Sequence, residues 1–221
     1  MRLRASLILM SSCLVAVTPS LAQRGPLDDV LESAAAGAQL RPRLLAFADS
    51  AASADGALAS QAMAWAGLSF AREGEADSAI ACYERAVALD PREPRRIELA
   101  SALLMRLAAG DAARARDVLR PVQPITPELP DPTQATAQGL LAWSHYLAGK
   151  ADSASRLFAP IETWLTAHQE WRYRMACVAF ERQDWIRVQN LLTPLAVASR
   201  THDSDVMDLL KRSADKLGAA R

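Results

Sequence analysis

One hexapeptide recurs in this chain with five of its six letters intact: Gly74-Glu75-Ala76-Asp77-Ser78-Ala79 returns as Gly149-Lys150-Ala151-Asp152-Ser153-Ala154. Self-similarity at such a distance marks a chain assembled from copies of one supersecondary unit, because each copy buries its apolar face only against its neighbours. Two weaker copies complete the series. Gly110-Asp111-Ala112-Ala113-Arg114-Ala115 lies between the strong ones and Gln183-Asp184-Trp185-Ile186-Arg187-Val188 follows them, so the anchors 74, 110, 149 and 183 are 36, 39 and 34 residues apart. Nine residues beyond each anchor stands a large side chain, Tyr83, Leu119, Phe158 or Leu192. The spacing predicts a four-fold repeat.

Composition decides what the repeated unit is made of. Ala accounts for 45 of the 221 residues while aromatics reach only 5%, so the 51% hydrophobic content is carried by small side chains that let helices approach closely. Packed helices are expected, and a disordered chain is excluded. Twenty-five basic residues against twenty-five acidic ones leave no net field to hold a nucleic-acid backbone, so no nucleic-acid partner is expected. Twelve Pro, nine Gly and a mean hydropathy of zero exclude collagen-like, low-complexity and multispanning membrane chains.

Residues 1–22 have the pattern of an address. Arg2 and Arg4 precede the apolar run of Leu7, Ile8, Leu9, Met10, Leu14, Val15, Ala16 and Val17, and Ser20 and Ala22 put small residues three and one before a cut. The reading is a secretory signal peptide cleaved after Ala22, which leaves 23 basic and 25 acidic residues and places the chain in the periplasm or outside the cell. Lipid attachment at Cys13, after Met10-Ser11-Ser12, is the less favoured alternative. Cys82 and Cys177 stand 95 residues apart on different repeats and are expected as small core residues, not as a disulfide.

Position by position, residues 60–93 resemble the 34-residue pattern of the tetratricopeptide repeat family. Met63 stands at the usual Trp, Ala66-Gly67 at the Leu-Gly pair, Phe70 at the aromatic, Ala79, Tyr83 and Ala86 on the second helix, and Pro91 closes the unit. Gly67 and Ala79 fall where the two helices of a hairpin cross, which requires small side chains, with Phe70 and Tyr83 filling the space around them. Residues 94–131 repeat the pattern with Ile97, Ala100, Ser101, Leu104, Ala115, Leu119 and Val122, given about two extra residues at the turn. Residues 135–168 supply Leu141, Ala142, His145, Gly149, Ala154, Phe158 and Ile161. Residues 169–200 supply Met175, Ala176, Ala179, Val188 and Leu192, with Gln183 at the turn glycine and Pro194 expected to end the second helix early.

The resemblance implies an all-α, right-handed α-solenoid of helix-turn-helix hairpins, about four repeats over 58–200 plus flanking helices. Capping helices are expected at 26–36 and 42–54 within the segment 23–57, and a final amphipathic cap at 203–217 within 201–221. Pro121, Pro124, Pro127, Pro130 and Pro132 form a proline-rich connection over 121–132, a rigid loop in preference to a docking polyproline II stretch.

Chemistry-bearing motifs are absent from the sequence. His145, His168 and His202 have no metal-ligand or catalytic spacing, and no G-x-S-x-G, Walker A or G-x-G-x-x-G string occurs. No catalytic residue, metal or cofactor is therefore expected, and the chain does not read as an enzyme. The resemblance instead implies that the first helices of the hairpins line a concave face, which would carry Arg72, Arg95, Glu98, Arg106, Trp143, Tyr146, Tyr173 and Phe180. That face is basic in its first half and aromatic in its second, suited to a protein or peptide held through Arg to carboxylate bonds and aromatic contacts. The Lys and Asn set of the carboxylate clamp found in some cochaperone relatives is missing. The implied function is a non-catalytic scaffold or adaptor of the bacterial cell envelope. In the competing structural reading, Trp143, Tyr146 and Phe180 bury the seam between hairpins. The competing functional reading is a helical-array enzyme or small-molecule binder with a pocket near His145.

Overall fold

The computed structural model describes Leu27, Val30 and residues 40–122, 132–198 and 204–219. The signal-peptide reading, most of the expected 26–36 helix and the middle of the proline-rich connection lie outside these residues. The regular structure is all helical, and no strand occurs among the described residues. No described helix is long and apolar enough to cross a membrane.

The chain divides into two compact units. The first contains α1 (Leu40–Ala51), α2 (Gly56–Arg72), α3 (Ala76–Leu89), α4 (Glu93–Arg106) and α5 (Asp111–Leu119). The second contains α6 (Pro132–Leu147), α7 (Ala151–Phe158), a 3-10 turn (Ala159–Ile161), α8 (Glu162–Leu165), α9 (Gln169–Glu181), α10 (Trp185–Ala198) and α11 (Ser204–Ala219). The two helices of each hairpin pack together, as do α1 with α2, α3 with α4, α7 with α9 and α10 with α11. The first helices of successive hairpins, α2 with α4 and α6 with α9, also touch.

The helix starts follow from the sequence. Asp55 caps α2 by accepting a 2.9 Å bond from Leu58 N–H, and Pro94 occupies the first turn of α4, where its missing N–H costs nothing. Asp77, Glu93, Asp111 and Asp152 place negative charge in first turns, favourable to the helix dipole.

All four repeat anchors have left-handed backbone: Gly74 at φ 82°, Gly110 at 88°, Gly149 at 73° and Gln183 at 60°. In three of the hairpins the first helix ends in the same pair of bonds. Gly74 N–H donates to Ala71 and Glu75 N–H to Phe70; Gly149 to Tyr146 and Lys150 to His145; Gln183 to Phe180 and Asp184 to Ala179. This is a Schellman closure, which needs a left-handed residue after the last helical turn. The α4–α5 turn is longer, with Leu107 also left-handed at φ 56°. A β-carbon meets nothing within 4 Å at Gly74 or Gly149, so side chains there are opposed by the backbone alone. We expect Gln183→Gly to stabilise the protein by roughly 0.5–1 kcal/mol and Gly149→Ala to destabilise it by about 1 kcal/mol in denaturant melts. Equal effects of the two substitutions would contradict the shared turn.

The hairpin cores use the small and large residues of the repeat. Met63, Ala66, Ala79, Tyr83 and Ala86 are buried in the first hairpin, and Met175, Ala176, Ala179, Val188 and Leu192 in the last. At the α2–α3 crossing, a β-carbon on Gly67 would stand 3.0 Å from Tyr83 Cε1 and 3.2 Å from the Ala79 carbonyl oxygen. Ser60, fully buried, donates a 2.8 Å bond to the Ala86 carbonyl and so satisfies itself across the same interface.

Pro194 does not end α10. The helix runs through it to Ala198, since Leu191, Leu192 and Leu195 bury their side chains on either side of it and hold the turn that Pro deprives of one N–H bond.

Candidate binding surface

The repeated Asp of the hexapeptide has the same partner in both units. Arg106, at the end of α4, donates a 2.6 Å bond to Asp77, and Arg182, just past α9, donates a 2.9 Å bond to Asp152. Each Arg belongs to the hairpin that follows its Asp. The aspartates are highly exposed, so the pairs set register more than they add stability. Glu84 and Arg114 form a third pair of this kind.

Arg106 is fully engaged. Besides Asp77 it grips Asp111 with two bonds, 2.6 Å from Nη2 to Oδ1 and 2.9 Å from Nε to Oδ2. Asp111 also accepts a 2.8 Å bond from Ala108 N–H and is only 2% exposed. The guanidinium beside it holds its carboxyl below the usual carboxylate range, outweighing the opposing effect of burial. Arg106 thus braces the long α4–α5 turn, and substituting it tests that turn before it tests a ligand.

The other basic positions differ in kind. Arg95 donates from Nη1 to both oxygens of Glu98 at 2.9 Å, and this half-buried pair faces Tyr83 together with Arg72. Burial pushes the Glu98 carboxyl up against the opposing pull of Arg95. Arg72 is exposed at the end of α2. On α1, Arg41 lies 4.8 Å over the Phe70 ring and pairs with Glu73 at 2.7 Å and Glu75 at 2.9 Å.

In the second unit, Trp143 and Tyr146 stack with ring centroids 4.8 Å apart and planes 18° from parallel, both only half-buried on α6. Tyr146 faces Cys177 and Glu181 of α9, and burial raises its phenol. Trp171 is buried against Phe158 at 6.3 Å and against Gly139, where a β-carbon would come within 2.9 Å of the indole. Between the two indoles sits Arg174, its guanidinium carbon 5.5 Å from the Trp143 centroid and 4.6 Å from that of Trp171. Arg174 escaped the sequence reading because it falls beside, not on, the positions that the family pattern assigns to the concave face. An Arg one turn from Trp171 and Glu170 was the available signal.

Tyr173 lies against the Cys177 thiol, which burial pushes up to about 12 despite the hydrogen bond from Tyr173. Phe180 meets Trp185 edge-on at 5.0 Å and is covered by Arg212 of α11 at 4.5 Å. It is therefore occupied within the chain. Cys82 and Cys177 are both buried and unbridged. His145 is half-buried, its carbonyl closing the α6 turn. A small crevice of about 10 Å³ lies elsewhere in this unit, lined by Ser155, Phe158, Met175 and Arg187 among others, and His145 is not part of it. Among the described residues no cluster of His, Cys, Asp and Glu has the makings of a metal site.

Compared with known proteins, the chain matches no family model and shows significant similarity to no curated protein.

Proposed function

We propose that this chain is a non-catalytic scaffold or adaptor of the bacterial cell envelope, a tetratricopeptide-like solenoid that binds a protein or peptide partner along the first helices of its hairpins. The observation that carries this reading is the Trp143–Tyr146 stack. The two large rings cover one another and keep only part of their surface open to solvent, an apolar edge of the kind on which partner side chains anchor. Exposed Arg72 gives the first unit a cation for acidic partners. The signal-peptide pattern of residues 1–22 supports the envelope location.

Affinity capture tests it, with the chain from Gln23 onward immobilised against its own envelope fraction and the retained proteins identified by mass spectrometry. Trp143→Ala is expected to weaken capture by about 1 kcal/mol or more at any salt, and Arg72→Glu to weaken it in a salt-sensitive way. If Trp143→Ala instead collapses the thermal transition while Arg72→Glu captures normally, the aromatics are core and the reading fails.

A further inference from the structure

We infer that Arg174 is the anchor of a binding site for a carboxylate that carries an apolar group, the carboxylate pairing with the guanidinium and the apolar group lying on the Trp143–Tyr146 stack. The inference rests on reading that stack as a binding face. Three observations converge on it. Arg174 Nη1 is shut off from solvent and has no hydrogen-bond partner among the described residues. Such a buried donor costs free energy unless something accepts from it. The charge has no ion-pair partner in contact with it either. Glu170 favours the charged form from a distance, yet forms no ion pair with Arg174 among the described residues, and desolvation is strong enough to lower the Arg174 pKa. Finally, the guanidinium is held between two indole faces, which attract a cation but accept none of its N–H bonds in the plane of the group. Arg174 as a whole is only half-buried, and that exposed part of the side chain is what a ligand can approach.

The surroundings choose the ligand class. Glu170 and Glu181 near the site penalise a dianion such as phosphate more than a monoanion. A carboxylate matches the planar guanidinium edge. The rings next to it reward a flanking apolar side chain.

Isothermal titration of the full chain with three probes tests this: N-acetyl-Ala-Ala-Phe with a free carboxylate, the same tripeptide as its amide, and 3-phenylpropionate. The free acid is expected to bind at least about tenfold more tightly than the amide. Arg174→Gln should erase that difference, with a circular dichroism melt at or above the parent because removing an unpaired buried charge relieves a cost, and Arg174→Lys, which keeps the charge, should keep part of the difference. Binding of 3-phenylpropionate as tight as that of the peptide acid supports the carboxylate site while removing the peptide reading above. Equal binding of acid and amide overturns the inference and leaves the peptide reading standing. Failure of all three probes to bind, or an acid preference that survives Arg174→Gln, also overturns it.

Discussion

Gly139→Leu is expected to destabilise the second unit by on the order of 1–3 kcal/mol or more, because it forces extra methylenes into a seam that is already full. A β-carbon at this position would lie 2.9 Å from two atoms of the Trp171 indole and 3.1 Å from Leu165 Cδ1. The indole cannot retreat. It is 4% exposed, with Phe158 against its edge and Arg174 over its face. Gly67→Leu should behave similarly in the first unit, where the backbone carbonyl of Ala79 is part of the obstruction. Gly218→Ala is the control, since nothing lies within 4 Å of its β-carbon and Ala is favoured over Gly in a helix by up to about 1 kcal/mol. Urea unfolding midpoints decide it. A Gly139→Leu midpoint as high as that of Gly218→Ala would mean that α6 and α9 do not meet at this point.

Asp111→Asn is expected to lower the thermal midpoint by several degrees at neutral pH, with a pH dependence that identifies the cause. The substitution keeps the shape but removes the charge that pairs twice with Arg106, while the Ala108 N–H bond can survive. The folded carboxyl is held below its ordinary value by Arg106, so the stability it contributes is complete above the unfolded Asp pKa of about 3.9. That contribution disappears as pH falls through the depressed folded value. The gap between parent and variant melts should therefore be constant from neutral pH to about pH 5 and close in strong acid. A gap that persists unchanged through the acid range would show that the carboxyl shape, and not its charge, braces the turn.

The local rules of the hairpins were readable from letters alone. The recurring anchors 74, 110, 149 and 183 all take left-handed backbone, even where Gln183 replaces glycine, and the longer spacing after Gly74 appears as the extended α4–α5 turn with its second left-handed residue at Leu107. Gly67 and Ala79 meet where small residues were needed. What the letters did not carry was pairing between elements. Arg106 reads as a groove cation until Asp77 of the preceding hairpin and buried Asp111 are placed beside it. Phe180 reads as either a groove or a seam residue until α11 brings Arg212 over its ring, because spacing fixes the apolar face of a terminal helix but not where that helix docks. Pro194 reads as a helix stop, yet the burial of its leucine neighbours outweighs one lost N–H bond. Arg174 was invisible for a related reason: its significance comes from two indoles on different helices that close around it.

Recognition by the Trp143–Tyr146 face is tested most directly by selecting a random peptide library on the immobilised chain and titrating the enriched peptides against parent and Trp143→Ala proteins. Enriched peptides should bind the parent and lose about fivefold or more with Trp143→Ala, titrated where circular dichroism shows both proteins folded, since the substitution also removes the ring's contacts with Tyr146 and Arg174. Failure to enrich any peptide, or enriched peptides that bind both proteins equally, would contradict peptide recognition by this face.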